Sequence, residues 1–350
     1  HEMADFEVYQ VAGTRVLAAE SLYRTDDGHW QFKYLPAFAV VVSPLAVLPP
    51  AASRAIWFGL SVALLVLLLN RSLALLPDRR RNGRVLVTLT VVALAKFYLH
   101  ELSLGQSNLL LAVLVLAAAG VWRHGGDLAA GAWLAAATVV KPYAIVFFPY
   151  LVARRRWQAA AAYASVLVAA LVVPVVHYGW SGNIALLRGW WDIVTGSTAP
   201  NLLGQDNVSI AGMFAAWVGI GGTSALLTAV TSLALVAACA VVVFRRSSAT
   251  FPEYLDLSLL LVSIPQLSPQ GWDYVLVVST PAVMLLVDRF DSFGRRERAI
   301  LVAALAIVGL TIWDVLGREL YRAVMMSRVI TVSVLIEVWL LIRLRFRDAA

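Results

Sequence analysis

The sequence has 350 residues, of which 61% are hydrophobic and only 14% are charged. A soluble domain of this length cannot bury so much apolar surface in one core, so the composition excludes a soluble enzyme and indicates a polytopic membrane protein. The net charge of +7 would suggest a nucleic-acid partner in a soluble protein. Here most arginines stand at the ends of apolar runs, so we expect membrane lipids around the chain and no nucleic acid.

The arginine clusters predict the topology, because cytoplasmic loops carry an excess of Lys and Arg. We place five clusters in the cytoplasm: Arg79, Arg80, Arg81 and Arg84; Arg154, Arg155 and Arg156; Arg245 and Arg246; Arg295, Arg296 and Arg298; and Arg343, Arg345 and Arg347. The single cysteine, Cys239, lies inside an apolar run, which excludes a disulfide framework and a thiol metal site.

Residues 1–34 are polar and predict a first extracytoplasmic loop. Within this loop, residues 5–22 space their apolar side chains as a helix does, which indicates an interfacial helix. The sequence Asp26-Asp27-Gly28 is typical of a turn that ends it. Apolar runs at 35–49 and 52–76 then open a transmembrane domain that we extend to residue 347.

Two interruptions of the apolar pattern come next. The spans 85–99 and 109–122 predict a hairpin, with residues 100–108 as its outer tip. The run 128–152 is interrupted by Lys141-Pro142 and has arginines at both ends. Two half-helices that meet at a buried lysine fit this pattern better than one straight span.

The remaining segments repeat the alternation of apolar runs and polar loops. Apolar runs lie at 157–178, 223–244, 254–267, 271–287, 299–316 and 328–342, with a short segment at 209–220 that we expect to be re-entrant. Further outer loops are predicted near 179–207, 266–273 and 317–327. The total is about ten apolar segments, several shorter than the ~20 residues of a straight crossing, so some must be tilted, broken or re-entrant. The fold class is therefore an all-α membrane bundle.

Polar residues of several distant loops fall on the outer side in this topology. They are Asp5, Asp26, Asp27, His29, His100, Glu101, Gln106, Asn108, Gln205, Asp206, Asn207 and Asp273. Such convergence is typical of a cavity built from many segments, although exposed loops are polar in any membrane protein. We expect the active face to be extracytoplasmic, in a plasma-membrane protein.

A set of short motifs resembles glycosyltransferase family 87. The motifs occur in order along the chain: Asp5-Phe6-Glu7-Val8-Tyr9, the run from Phe32 to Ala39 leading into Ser43-Pro44, Gly105-Gln106-Ser107-Asn108, Lys141-Pro142 before Phe147-Phe148-Pro149-Tyr150, and Ser268-Pro269 followed by Trp272-Asp273. Members of this family are polytopic enzymes of the GT-C class that use polyprenyl-phosphate-mannose. They usually carry a transmembrane helix ahead of the aspartate, so this sequence is expected to be truncated at its start.

The resemblance implies a GT-C-like bundle and an inverting α-mannosyltransferase with a glycolipid or polysaccharide acceptor. GT-C enzymes place an aspartate in the first outer loop as general base, and Asp5 matches it. We expect Lys141 and His100 to bind the donor phosphate. The expected substrate-binding residues are Tyr9, Gln106, Asn108, Gln205, Asp206, Asn207, Trp272 and Asp273. No cofactor is expected besides the lipid-linked donor. A phosphate leaving group needs no general acid to protonate it, and a lipid-phosphate donor has no diphosphate for a divalent ion to neutralise.

Each assignment has an alternative. Asp5 precedes a helical pattern and could be only its N-cap, and Lys141 could extend to an interface or pair with a carboxylate. His100 could be merely interfacial, and Asp26 with Asp27 could be a metal pair, although turn residues are the simpler interpretation. At the level of function, the alternatives are a transporter or flippase of lipid-linked sugars and a non-catalytic scaffold.

Overall fold

A membrane-spanning chain must satisfy its backbone polar groups internally, and the apolar runs do so by forming helices. The computed structural model describes residues 3–245 and 247–347, and 81% of the structure is helix. Arg246, one of the predicted cytoplasmic arginines, lies outside the described residues, as do residues 1 and 2 of the predicted first loop. The all-α fold class is confirmed.

Seventeen α-helices occur in the described residues. They are α1 (Ala4–Leu17), α2 (Pro36–Ala46), α3 (Pro50–Leu75), α4 (Gly83–Leu104), α5 (Asn108–Trp122), α6 (Asp127–Val140), α7 (Phe147–Ala153), α8 (Trp157–Val172), α9 (Val175–Gly196), α10 (Thr198–Asn201), α11 (Ile210–Val218), α12 (Gly222–Phe244), α13 (Glu253–Leu267), α14 (Thr280–Asp288), α15 (Arg295–Leu310), α16 (Trp313–Met326) and α17 (Val329–Arg347). Short 3₁₀ helices cover Thr25–Trp30, Pro142–Val146, Asp273–Ser279 and Phe290–Ser292.

Three helices, α3, α4 and α12, are long and apolar enough to cross a membrane. Two bent pairs would raise the number of spans to five: α8 with the helical segment that follows it, at 93°, and α15 with α16, at 102°. The sequence predicted short and broken segments, and α2, α5, α6 and Pro142–Ala153 are such shorter apolar helices. The described residues thus fit a polytopic membrane protein.

Two predicted outer loops are largely helical. Residues 179–207 contain most of α9 and all of α10, and residues 317–327 contain most of α16. Their aromatic and aliphatic residues recur among polar ones, so these segments can lie as amphipathic helices at an interface. Gly179 and Gly317 interrupt the helices with positive φ values of 64° and 71°.

The predicted hairpin tip at 100–108 is also partly helical, because α4 continues to Leu104. His100 and Glu101 therefore stand on the last turns of a helix. The predicted break at Lys141 is confirmed: α6 ends at Val140 and a 3₁₀ turn begins at Pro142.

Residues 3–67 and 100–199 form one compact unit. In this first unit α1 packs on α2, and α6 packs on both α5 and α8. The buried face of α1 carries Phe6 and Tyr9, whose rings contact the ring of Trp57 on α3 at centroid distances of 5.2 and 5.5 Å. The interfacial helix predicted at 5–22 is thus one side of an aromatic core, and it ends at Leu17.

Residues 68–99 and the described residues from 200 onward form the second unit. At one end of α17, Arg347 contacts Glu297. Arg81, in another predicted cytoplasmic cluster, contacts Asp291. Arg345, a member of the predicted cytoplasmic cluster, is buried and paired with Asp256. The buried pairing follows from Asp256 lying on α13, which packs against α17.

The close packing of α6 on α8 leaves no room for a side chain at Gly131. A Cβ added to Gly131 would lie 2.0 Å from the backbone oxygen of Ala159, whereas one added to Gly59 on α3 would meet nothing within 4 Å. Gly131→Ala should therefore lower the free energy of unfolding by about 1–3 kcal/mol, since a backbone atom cannot rotate away. Thermal unfolding of the detergent-solubilised protein measures the effect. Gly59→Ala is the matched control, and equal stability of the two variants would contradict this packing.

Candidate active site

The break between α6 and the following 3₁₀ turn holds Lys141 inside the first unit. Pro142 lacks an N–H group and disfavours helical backbone at the residue before it. Lys141 accordingly has extended dihedral angles, φ −140° and ψ 109°, and its exposed fraction is only 8%. The lysine is therefore enclosed by protein, where its charge needs partners.

The Lys141 ammonium lies in a polar network. Its Nζ donates to the hydroxyl of Tyr34 at 2.7 Å and to Oε1 of Gln106 at 2.9 Å, and it lies 4.4 Å from the centre of the Tyr34 ring. The Tyr9 hydroxyl completes the network at 2.6 Å from the Tyr34 hydroxyl. A buried charge is tolerated where hydrogen bonds and a ring face replace its hydration.

Gln106 is the central acceptor of this network. Its Oε1 accepts hydrogen bonds from the hydroxyls of Tyr9 and Tyr34, at 3.2 and 3.1 Å, in addition to the one from Lys141. A glutamine amide has one acceptor end and one donor end, so these bonds fix which end faces which neighbour. The NH₂ end is left to hydrogen-bond the Asp5 carboxylate.

Asp5 lies in the first turn of α1 and is half-buried. Burial raises the pKa of its carboxyl above the ordinary value, and this is the largest influence. The hydrogen bond from Gln106 and the positive charges of Lys141, His29 and His100 act in the opposite direction and lower the pKa. The carboxyl is therefore a stronger base than an ordinary aspartate and still has partners for its ionised form.

The N-cap alternative for Asp5 is wrong. The N-cap residue of α1 is Met3, and α1 has no side-chain cap at this end. The backbone N–H of Met3 instead donates to the carbonyl of Ser103 at 2.9 Å, which ties the start of α1 to the end of α4. Gly105 stands against this junction, since a Cβ there would lie 2.8 Å from Cβ of Phe6.

A second buried carboxylate, Glu101, holds the start of α5. Its oxygens accept hydrogen bonds from the backbone N–H groups of Asn108 and Leu109 and from the Asn108 side chain, at 2.6, 3.0 and 2.8 Å. The Asn108 carbonyl oxygen accepts from the Tyr143 hydroxyl at 2.6 Å. Both ends of the Asn108 amide thus contact protein groups that fix the 100–108 segment beside the Lys141 break.

The other predicted binding residues come together in the second unit. Asn207 forms an isolated antiparallel bridge with Trp272, and the backbone N–H of Asp273 donates to the carbonyl of Asp206 at 2.9 Å. The Asn207 side chain donates to the Pro269 carbonyl at 2.9 Å and accepts from the Ser209 backbone at 3.0 Å. Two predicted outer loops are therefore joined by backbone pairing.

Two buried cations of the second unit were not predicted from the sequence. Lys96 lies 3.0 Å from a carboxylate oxygen of Asp273, and the two side chains are 8% and 0% exposed. The buried Arg328 donates to the carbonyls of Gly204 and Asn207, both at 2.8 Å. A lysine inside an apolar run was the available signal for Lys96, since that signal had already identified Lys141.

The predicted residues Asp26 and Asp27 lie in the first unit. Asp27 makes a bidentate ion pair with Arg15, with both N–O distances at 2.6 Å, and Asp26 is exposed. Tyr34, which sequence reasoning quoted only as part of a motif, is instead a central member of the Lys141 network. Its position at the end of the first loop was the signal that could have identified it.

The fold and these two groups of residues define a polytopic membrane protein with buried cations and carboxylates. The model of glycosyltransferase family 87 matches residues 32–269, which is more than half of the chain. The chain belongs to this family, and it is a membrane glycosyltransferase. Tyr34, Gln106 and Lys141 lie inside the matched residues, and Asp5 precedes them. A search of curated proteins gave no match.

Proposed function

We propose that this enzyme transfers mannose from a polyprenyl-phosphate donor to a hydroxyl group of a glycolipid or polysaccharide, with inversion, at the extracytoplasmic face of the plasma membrane. The observation that carries the proposal is the placement of a carboxylate, Asp5, against a buried cation, Lys141, through one shared glutamine. A base for an acceptor and a cation for a phosphate are the two groups that such a transfer needs.

The proposed reaction is a single displacement. The acceptor oxygen attacks the anomeric carbon and loses its proton to the Asp5 carboxylate. The bond between that carbon and the phosphate oxygen breaks, and the polyprenyl phosphate leaves with the electron pair. Attack from the face opposite the leaving group inverts a β-linked donor to an α product. The phosphate is already a weak base, so neither a general acid nor a divalent cation enters this proposal.

Lys141 has the geometry to stabilise the leaving phosphate. An ammonium group has three N–H donors, and Tyr34 and Gln106 accept two of them, which leaves one for a phosphate oxygen. Removal of the charge from water strengthens its attraction to an anion. His100 acts electrostatically on the Asp5 carboxylate, and we retain it as a second donor-phosphate ligand.

We assign Gln106 as a positioning residue, where the sequence suggested a substrate ligand. Three protein donors occupy its Oε1, and its amide nitrogen faces Asp5. In the second unit, Asn207 and Asp273 are held by protein partners, and Gln205, Asp206 and Trp272 are partly exposed. We retain these last three as proposed substrate contacts.

Incubation of membranes that contain the enzyme with radiolabelled polyprenyl-phosphate-mannose tests the activity itself. Within that assay, Asp5→Asn should lower turnover by about 10²-fold or more, the typical worth of positioned proton transfer, because only proton acceptance is lost. Donor binding should remain. The matched control is Asp26→Asn, the same chemical change at an exposed aspartate of the same loop. Wild-type turnover in Asp5→Asn would remove the residue as the base.

Lys141 variants test the donor site. Lys141→Met keeps much of the side-chain stem and removes the charge, so it should raise the donor KM strongly and leave the acceptor KM near its normal value. Lys141→Arg should keep part of the donor affinity, because the charge remains while the compact ammonium geometry is lost. Kinetics at varied donor concentration give the comparison, and thermal unfolding checks that both variants fold. An unchanged donor KM in the methionine variant would exclude a phosphate contact.

The role of Gln106 gives a pH prediction. A carboxylate base works only above its pKa, and the amide of Gln106 lowers the pKa of Asp5. Gln106→Glu replaces this donor by a second carboxyl group, so the pair should ionise fully only at higher pH. The acidic limb of the kcat/KM profile should therefore shift to higher pH, with activity recovering above it. The control is Gln10→Glu, which lies on the same helix as Asp5 but outside the network and should leave the acidic limb in place. An unshifted acidic limb in Gln106→Glu would contradict the assignment of Gln106.

A further inference from the structure

A groove of about 230 Å³ runs along the exposed face of α1 in the first unit. Val8 and Val11 line it on α1, and Trp30 and Phe32 line it from the segment that follows α1. The groove extends from Ala4 to Arg15, which is eleven helical steps and therefore about 16 Å at 1.5 Å per step. It is long enough for more than one sugar ring.

The two walls of the groove are fixed to each other. Arg15 on α1 and Asp27 on the facing segment form the bidentate ion pair described above, and their side chains are only 12% and 19% exposed. Gly28 follows with a φ of 61°, a backbone conformation that other residues adopt at a cost, and the chain turns there to bring Trp30 to the groove. The groove is thus preformed, which lowers the entropic cost of binding.

The lining suits a carbohydrate chemically. The Trp30 side chain is 47% exposed and offers an aromatic face to the apolar side of a sugar ring. The carboxylate of Glu7 and the Arg15–Asp27 pair offer acceptors and donors to hydroxyl groups. A mostly apolar surface with a few fixed polar groups is typical of small-molecule sites.

The groove begins next to the catalytic carboxylate that we propose. Ala4 lines the groove, and Asp5 is the following residue of α1, about 100° around the helix from the lining face. On the other wall, His29 acts electrostatically on the Asp5 carboxyl, and its ring contacts Trp30 edge to face at a centroid distance of 4.9 Å. An acceptor in the groove can therefore present a hydroxyl group to Asp5.

We infer that this groove binds the glycan portion of the acceptor, with the reactive hydroxyl at Asp5 and the rest of the glycan along α1 over Trp30. The inference rests on the proposed function, because it takes Asp5 as the base. Trp30 is then an acceptor-binding residue that neither the sequence motifs nor the family assignment identifies.

The test measures acceptor and donor kinetics separately. Label transfer from polyprenyl-phosphate-mannose is followed while the amount of a glycolipid extract of the native membranes is varied, and slow hydrolysis of the donor by water is followed without extract. Trp30→Ala should raise the half-saturating amount of extract by about tenfold or more, the scale of a lost aromatic anchor. Its donor KM and its hydrolysis rate should stay normal, and Trp30→Phe should recover most of the affinity.

The control is Trp180→Ala, which removes a tryptophan that is 65% exposed in the same unit. If Trp30→Ala and Trp180→Ala have the same half-saturating amount of extract, the groove is not an acceptor site. The proposed function is unaffected by that result. A parallel loss of donor and acceptor use, or of thermal stability, would identify Trp30 as a membrane anchor or a folding residue and would also overturn the inference. Absence of transfer and of donor hydrolysis by the wild-type enzyme would overturn the proposed function, and the groove assignment with it.

Discussion

The first unit is organised around one constraint, the buried charge of Lys141. A cation in an apolar surrounding is tolerated only where protein groups replace its hydration shell. Tyr34 and Gln106 do so directly, and Tyr9 joins them through its hydroxyl. These residues come from α1, the segment before α2, the turn after α4 and the break after α6. Satisfying one charge therefore brings together four distant parts of the chain and orients Gln106 toward Asp5.

In the second unit, protein groups also compensate buried charges, but there the pairing holds loops in place. Lys96 and Asp273 compensate each other in the interior, and Arg328 binds the carbonyl groups of the 203–207 segment. The Asn207 side chain bonds to the backbone of the neighbouring loop. Because these groups are engaged with protein atoms, they stabilise the loops in which Gln205, Asp206 and Trp272 remain accessible. In the first unit, by contrast, Tyr34 and Gln106 accept two of the three N–H groups of Lys141 within the described residues, and the shared glutamine hydrogen-bonds a carboxylate.

The sequence by itself determined the class of structure, the break at Lys141 and much of the candidate site. Composition requires a membrane protein, because no soluble core can hold so many apolar residues. Pro142 after a lysine in an apolar run predicts a broken helix on local grounds, and α6 ends where the pattern indicates. The motifs that resemble glycosyltransferase family 87 also led to Asp5, Gln106 and Lys141, which the structure places in one network. The helices within the predicted outer loops 179–207 and 317–327 could not be read from the sequence, since polar and aromatic residues are common in both interfacial helices and irregular loops.

Only the tertiary structure decided how these residues are used. Hydrogen bonds between residues 25 to 107 positions apart depend on helix packing, which no local pattern encodes, so the pairing of Tyr9 with Tyr34 and the orientation of Gln106 could not be read from the sequence. The same holds for Lys96, whose partner Asp273 is far along the chain. The Arg15–Asp27 pair shows that even contacts between residues close in sequence depend on the fold. The sequence predicted a turn of acidic residues. The fold of the chain around α1 decides that Asp27 is the acid that pairs with Arg15, and that this pair lines a groove together with Trp30.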